Sequence, residues 1–120
     1  MTGLELERVD NVSIVRSRQD IDAANAAQVR GELIAFLDRG PDCLVFDLSA
    51  TRYLDSAALD MLFRLNERLR QRRATLRLVI PPTSQLTRLV EIVALPAALA
   101  IHESLEEALE ACHRGAGGEA

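Results

Sequence analysis

At 120 residues, 48% of them hydrophobic and 27% charged, the chain is long enough to bury one core and is expected to form a single domain. Aromatic residues make up only 3%, so the core has to be built from Leu, Val, Ile and Ala, and broad aromatic stacking surfaces are excluded. Fourteen basic against eighteen acidic residues leave a formal net charge of −4, which argues against the nucleic-acid backbone as a main partner.

In chain order, Leu4-Glu5-Leu6-Glu7-Arg8-Val9 alternates apolar and polar residues, Asp10-Asn11 makes a turn, and Val12-Ser13-Ile14-Val15 alternates again. That is the pattern of a β-hairpin. Residues 17 to 22 read as a polar connection. Asn25 with Gln28 three positions on resembles a capping box ahead of Val29, Leu33, Phe36 and Leu37, which predicts a helix over about 25–38. Gly31 inside it costs about 1 kcal/mol against alanine, which points to close packing at that turn. Arg39-Gly40-Pro41-Asp42 stops the helix. Cys43-Leu44-Val45-Phe46-Asp47-Leu48 is then a short, nearly continuous apolar run, as expected of a strand covered on both faces. Asp47 at its end is placed to accept from backbone N–H groups of the loop that follows.

After Ser49-Ala50-Thr51-Arg52-Tyr53-Leu54, Asp55 and Ser56 start a second helix, since each can accept from free backbone N–H groups. Its apolar face is Ala58, Leu59, Leu62, Leu65 and Leu69. The opposite face carries Asp60, Arg64, Glu67, Arg68, Arg70, Arg72 and Arg73, with the arginines late, as the helix dipole favours. We read this arginine cluster as a solvated face and not as a phosphate site. Leu76 to Ile80 is another strand, and Pro81-Pro82-Thr83-Ser84 opens a helix over about 84–93 on Leu86, Leu89, Val90 and Val93. Ala94-Leu95-Pro96 breaks it and Leu99-Ala100-Ile101 is a candidate edge strand. Ser104 with Glu107 caps a last helix over about 104–113. Residues 1–113 make up the domain, and 114–120 are expected to be a flexible tail.

Strands alternating with helices after an opening hairpin imply an α/β fold, a mixed sheet of four to five strands covered by about four helices. Function in such sheets gathers where strands end and helices begin, and two such places carry polar residues: Asp20-Ile21-Asp22 and Asp55-Ser56. Ser56 puts a hydroxyl at a helix N-terminus, where an anion is favoured. Cys43 and Cys112 show no metal-ligand spacing and no disulfide framework, so a reducing cytoplasm is the expected compartment. No basic segment followed by an apolar run opens the chain, and eighteen consecutive apolar residues occur nowhere, so neither export nor membrane insertion is expected. His102 and His113 have no companion ligands and are expected to be exposed.

The run from Val45-Phe46-Asp47-Leu48-Ser49 to Tyr53-Leu54-Asp55-Ser56-Ala57-Ala58-Leu59 resembles the STAS domains, and within them the bacterial anti-sigma factor antagonists. The family pattern there is a strand ending in Asp, a short loop, and an apolar residue followed by Asp-Ser-Ser-Gly-Leu. Asp20-Ile21-Asp22-Ala23-Ala24-Asn25-Ala26 is similar to the family's loop before its first helix, with the family Asp falling on Asp22. Two places depart: Ala57 and Ala58 stand for the second Ser and the Gly, and a polar residue around Gln19 stands for a Gly before the first helix.

The resemblance implies a STAS-like fold, phosphorylation of Ser56, and a partner-binding surface of Asp22, Asn25, Asp55, Ser56, Ala57 and Ala58. It implies as partner an anti-sigma factor that is also a serine kinase, with a phosphatase and a homodimer left open. Direct nucleic-acid binding, a metal, a cofactor and catalysis are not implied. A second reading from the same resemblance is a cytoplasmic accessory subunit of a lipid-transport ABC ATPase complex. An enzyme ranks third, because no Gly-rich phosphate motif or Gly-flanked nucleophile is present.

Overall fold

The alternation at the start of the chain folds as antiparallel strands β1 (Leu4–Val9) and β2 (Val12–Ser17), with Val9 opposite Val12 where the hairpin closes. Asp10 takes φ +54° in the turn, a left-handed conformation that Asp tolerates better than most residues. β2 pairs in parallel with β3 (Cys43–Asp47), β3 with β4 (Thr75–Val79), and β4 with the short β5 (Ala100–His102). The sheet order is β1-β2-β3-β4-β5, so β3 lies at the centre. Helices α1 (Ala26–Leu37), α2 (Ser56–Gln71) and α3 (Leu86–Ile92) form the crossovers, and α4 (Leu105–Gly118) follows β5. This computed structural model describes residues 3–37, 42–92 and 98–118. The helix stop at 39–41, the side chain of Leu37, Val93 and the break at 94–96 lie outside the described residues, as do 119 and 120.

The two faces of the sheet are covered unequally. On one, Val15, Leu44, Phe46, Leu76 and Leu78 meet Val29 and Leu33 of α1, the buried face of α2, and Leu86 and Val90 of α3. On the other, Val12, Ile14, Cys43, Val45 and Val79 meet Ala108 and Cys112 of α4. Because β3 is buried on both sides, its side chains need no polar alternation, and the apolar run of the sequence follows from that placement.

Several expectations are corrected by the structure. Gly31 is exposed in mid-α1, and a Cβ built there meets nothing within 4 Å, so the glycine is not required by close packing. Gly31→Ala is therefore expected to stabilise the protein by about 0.5–1 kcal/mol, through helix propensity alone. Urea denaturation would show it as a higher midpoint at unchanged slope. The last helix does not end at 113 but continues to Gly118, and the i,i+4 pair of Glu110 with Arg114 spans the expected boundary.

The cysteines are the third correction. Cys43 at the start of β3 and Cys112 on α4 form a disulfide, with Cα atoms 6.1 Å apart and 69 residues apart in sequence. Linear spacing could not announce it, because the fold itself, by laying α4 across the sheet, brings the two positions together. On a chain-entropy view, closing a loop of that length contributes up to about 4 kcal/mol.

His102 is also placed differently from the expectation, being half-buried on β5 while His113 is exposed. The Arg77 guanidinium lies 3.2 Å from His102 Nε2; since arginine can only donate, Nε2 is the acceptor and the ring is neutral. Burial first, then Arg77 on β4, holds the imidazole below its ordinary pKa; Glu107 on α4 opposes this and Arg114 on α4 adds to it. A lowered folded value means that the unfolded chain binds the proton more readily. Stability is thus fully present above the unfolded value of about 6.5 and is lost as pH falls below it. Melting temperature should drop more between pH 7 and pH 5 for the wild type than for His102→Gln.

Candidate functional site

Asp55 organises the end of β3's connection to α2. It caps the helix from an extended conformation (φ −97°, ψ −175°), with Oδ1 accepting the Ala58 N–H at 2.9 Å. Its Oδ2 accepts the Ala23 N–H at 2.9 Å, so the same carboxylate ties the start of α2 to the loop ahead of α1. Ser56 is the first helical residue and is exposed. The N–H groups of Ser56 and Ala57 precede the first intrahelical bond, where the dipole favours negative charge.

The loop ahead of α1 is locked by its own side chains. Asn25 Oδ1 accepts the Asp22 N–H at 2.9 Å while its Nδ2 donates to the Asp20 carbonyl at 2.9 Å, so Asn25 folds back on the loop and does not act as the expected capping box with Gln28. Asp22 Oδ1 accepts the Ala24 N–H at 2.9 Å, and the Asp22 carbonyl accepts from Asn25 and Ala26. Asp22, Asn25, Asp55, Ser56 and Ala57 are accordingly brought to one region, with Ser56 the most open and the others half-buried. Ala58 is corrected: it has no exposed surface, and its N–H is consumed by Asp55, because it sits on the core side of the first turn.

Sequence reasoning missed the contacts that join the two loops. Asp20 Oδ1 accepts the N–H groups of Arg52 at 2.9 Å and Tyr53 at 3.1 Å. Beside it, the Ile21 N–H donates to the Tyr53 carbonyl and the Asp55 N–H to the Ile21 carbonyl, a one-residue parallel bridge between Ile21 and Leu54. The buried Thr51 hydroxyl lies 3.0 Å from the Gln19 carbonyl and 3.3 Å from that of Ser17. The sequence marks Asp20 as part of a polar segment before α1 but not its partners, Thr51 carries no signal at all, and only pairing across more than thirty positions gives the two this role. Asp47 behaves as expected, accepting the Ser49 N–H at 2.9 Å, and its second oxygen lies 3.9 Å from Arg16 Nε.

Ser56 thus stands on a platform whose backbone is bonded on both sides. Around it, Tyr53 is 55% exposed, and Phe63, two turns along α2 on the same face, is 38% exposed. An accessible hydroxyl on a segment that also exposes two aromatic side chains is a surface suited to docking.

A family model described as the STAS domain matches residues 3–108. BtrV of Bordetella bronchiseptica, a candidate anti-sigma factor antagonist, is 32% identical over 68 residues, which are 57% of this chain and 59% of that protein. The match therefore spans less than two thirds of that relative. Among solved structures, an anti-sigma factor antagonist from Mycobacterium paratuberculosis superposes with a TM-score of 0.77 at 26% identity, covering 90% of this chain and 91% of that one. The candidate anti-sigma factor antagonist TM1081 of Thermotoga maritima gives a TM-score of 0.84 over 92% of this chain and 95% of its own, and its 21% identity makes this a likeness of fold. No helix among the described residues is long and apolar enough to cross a membrane.

Proposed function

The chain belongs to the STAS domain family, and from that premise we propose that it is a non-catalytic binding module like the anti-sigma factor antagonists, switched by phosphorylation of Ser56. The observation that carries the reading is the exposed Ser56 at the start of α2, held on a platform bonded through Asp20 and Asp55. A kinase can reach that hydroxyl without unfolding the protein. The partner is an anti-sigma factor with serine kinase activity, docking over Ser56 with Tyr53 and Phe63 as apolar contacts, and a phosphatase resets the switch.

Asp22 and Asn25 enter this reading as residues that set the shape of the surface, since Asp22 Oδ1 and both polar atoms of the Asn25 amide are bonded within the loop. Ala57 brings a methyl group where the family pattern has a hydroxyl, leaving Ser56 as the acceptor at this turn. The test is transfer of phosphate from ATP by the cognate kinase, followed by mass spectrometry of the peptide containing residues 53–64. One phosphate on Ser56 is expected in the wild type and none in Ser56→Ala. Equal incorporation into the two proteins would refute the assignment.

A further inference from the structure

We propose that the Cys43–Cys112 pair is a thiol–disulfide exchange site that governs how firmly α4 is held on the sheet. The bond joins the first residue of β3 to α4, and the two cysteines are each only 5% exposed. They nevertheless line an open cleft of about 210 Å³ together with Asp10, Asn11, Val12, Asp42 and His113. The cleft gives a reductant a route to sulfur atoms that are otherwise covered. It lies at the start of β3, whereas Ser56 follows the other end of that strand, so the inference stands apart from the phosphorylation reading.

What α4 loses on reduction follows from the small size of the side chains that hold it. Across the sheet, α1, α2 and α3 fix themselves with Leu, Ile, Val and Met side chains. Under α4 the buried side chains of the helix are Ala108, Ala111 and Cys112, with Leu105 and Leu109 packed only partly. Small side chains remove little apolar area from water, so the covalent link is a large share of the attachment. Cys112 sits near the middle of the helix, so the link secures the turns on either side of it.

The chemistry balances with a dithiol reductant as co-reactant. One thiolate of the dithiol attacks a sulfur of the pair; the Cys43–Cys112 bond breaks, and the departing sulfur keeps the electron pair and takes up a proton. The second thiolate of the reductant then attacks the mixed disulfide and releases the other cysteine. Two electrons pass to the protein, which ends as a dithiol, and the reductant ends as a cyclic disulfide.

The test is amide hydrogen exchange on the full chain, oxidised and after dithiothreitol, with thiols counted by mass shift on alkylation. Oxidised protein should show no alkylated cysteine and reduced protein two. Amides of residues 105–114 should exchange at least tenfold faster after reduction, while those of 58–69 in α2 stay unchanged. Cys112→Ser should resemble the reduced wild type and ignore dithiothreitol. Two free thiols under oxidising conditions, or α4 exchange indifferent to reduction, would overturn the proposal. The reduced wild type decides the matter even if the variant does not fold.

Discussion

Protein phosphorylated on Ser56 is expected to bind the anti-sigma factor at least a hundredfold more weakly than unmodified protein, with Ser56→Asp showing part of the loss and Ser56→Ala little of it. The phosphate brings about −1.5 to −2 charges and three acceptor oxygens. Within the chain that charge is tolerated, because it lies at the N-terminus of α2, where the dipole is favourable and the hydroxyl already faces water. Across an interface the balance reverses. The phosphate must shed its water next to the carboxylate of Asp55, the cap of the same helix. About 3 kcal/mol lost in this way is a little more than a hundredfold in affinity. Titration calorimetry of the two forms against the anti-sigma factor would measure it. Melting curves of the two forms should nearly coincide, and that separates a switch at the interface from damage to the fold. Equal affinity before and after modification would leave the phosphate without a regulatory role.

The fold is legible because its signals are local. Alternation in 4–15, the doubly apolar Cys43 to Leu48, and the stripe of Ala58, Leu62, Leu65 and Leu69 each repeat at the period of the element that they form. The hydroxyl of the site is legible for the same reason, since a cap and the residue after it are read from a few neighbouring positions. What stays hidden depends on contacts far apart in the chain. The carboxylate of Asp20 serves N–H groups at 52 and 53, Thr51 reaches back to the carbonyls of 17 and 19, and Cys43 finds Cys112 only after five strands and three helices are in place. Ala58 goes astray through the opposite fault. A motif assigns it to a partner surface by adjacency to Ser56, whereas a helix turns about 100° per residue and carries it into the core.

Phe46→Ala is expected to cost about 3–5 kcal/mol, because Phe46 is the largest side chain that the core buries completely. It stands in the central strand, flanked on the same face by Val15 of β2 and Leu78 of β4, and covered by the helices of the larger core cluster. Removing the ring opens a cavity that strands bonded on both sides cannot close, so the lost contacts are not recovered. For a domain of this size the loss corresponds to a fall in melting temperature on the order of 10–20 °C. Ile92→Ala on α3 is the control, because its side chain is 72% exposed and its truncation should change stability by less than about 0.5 kcal/mol. Both variants should be measured oxidised, so that the disulfide is constant. The comparison also bears on the site: Phe46 precedes Asp47, whose carboxylate shapes the loop toward Thr51 and Ser56. If the platform draws its rigidity from that strand, Phe46→Ala should speed amide exchange at 51–55 before global unfolding, while Ile92→Ala leaves those amides alone. Equal stability of the two variants would mean that the core is not centred where the buried strand places it.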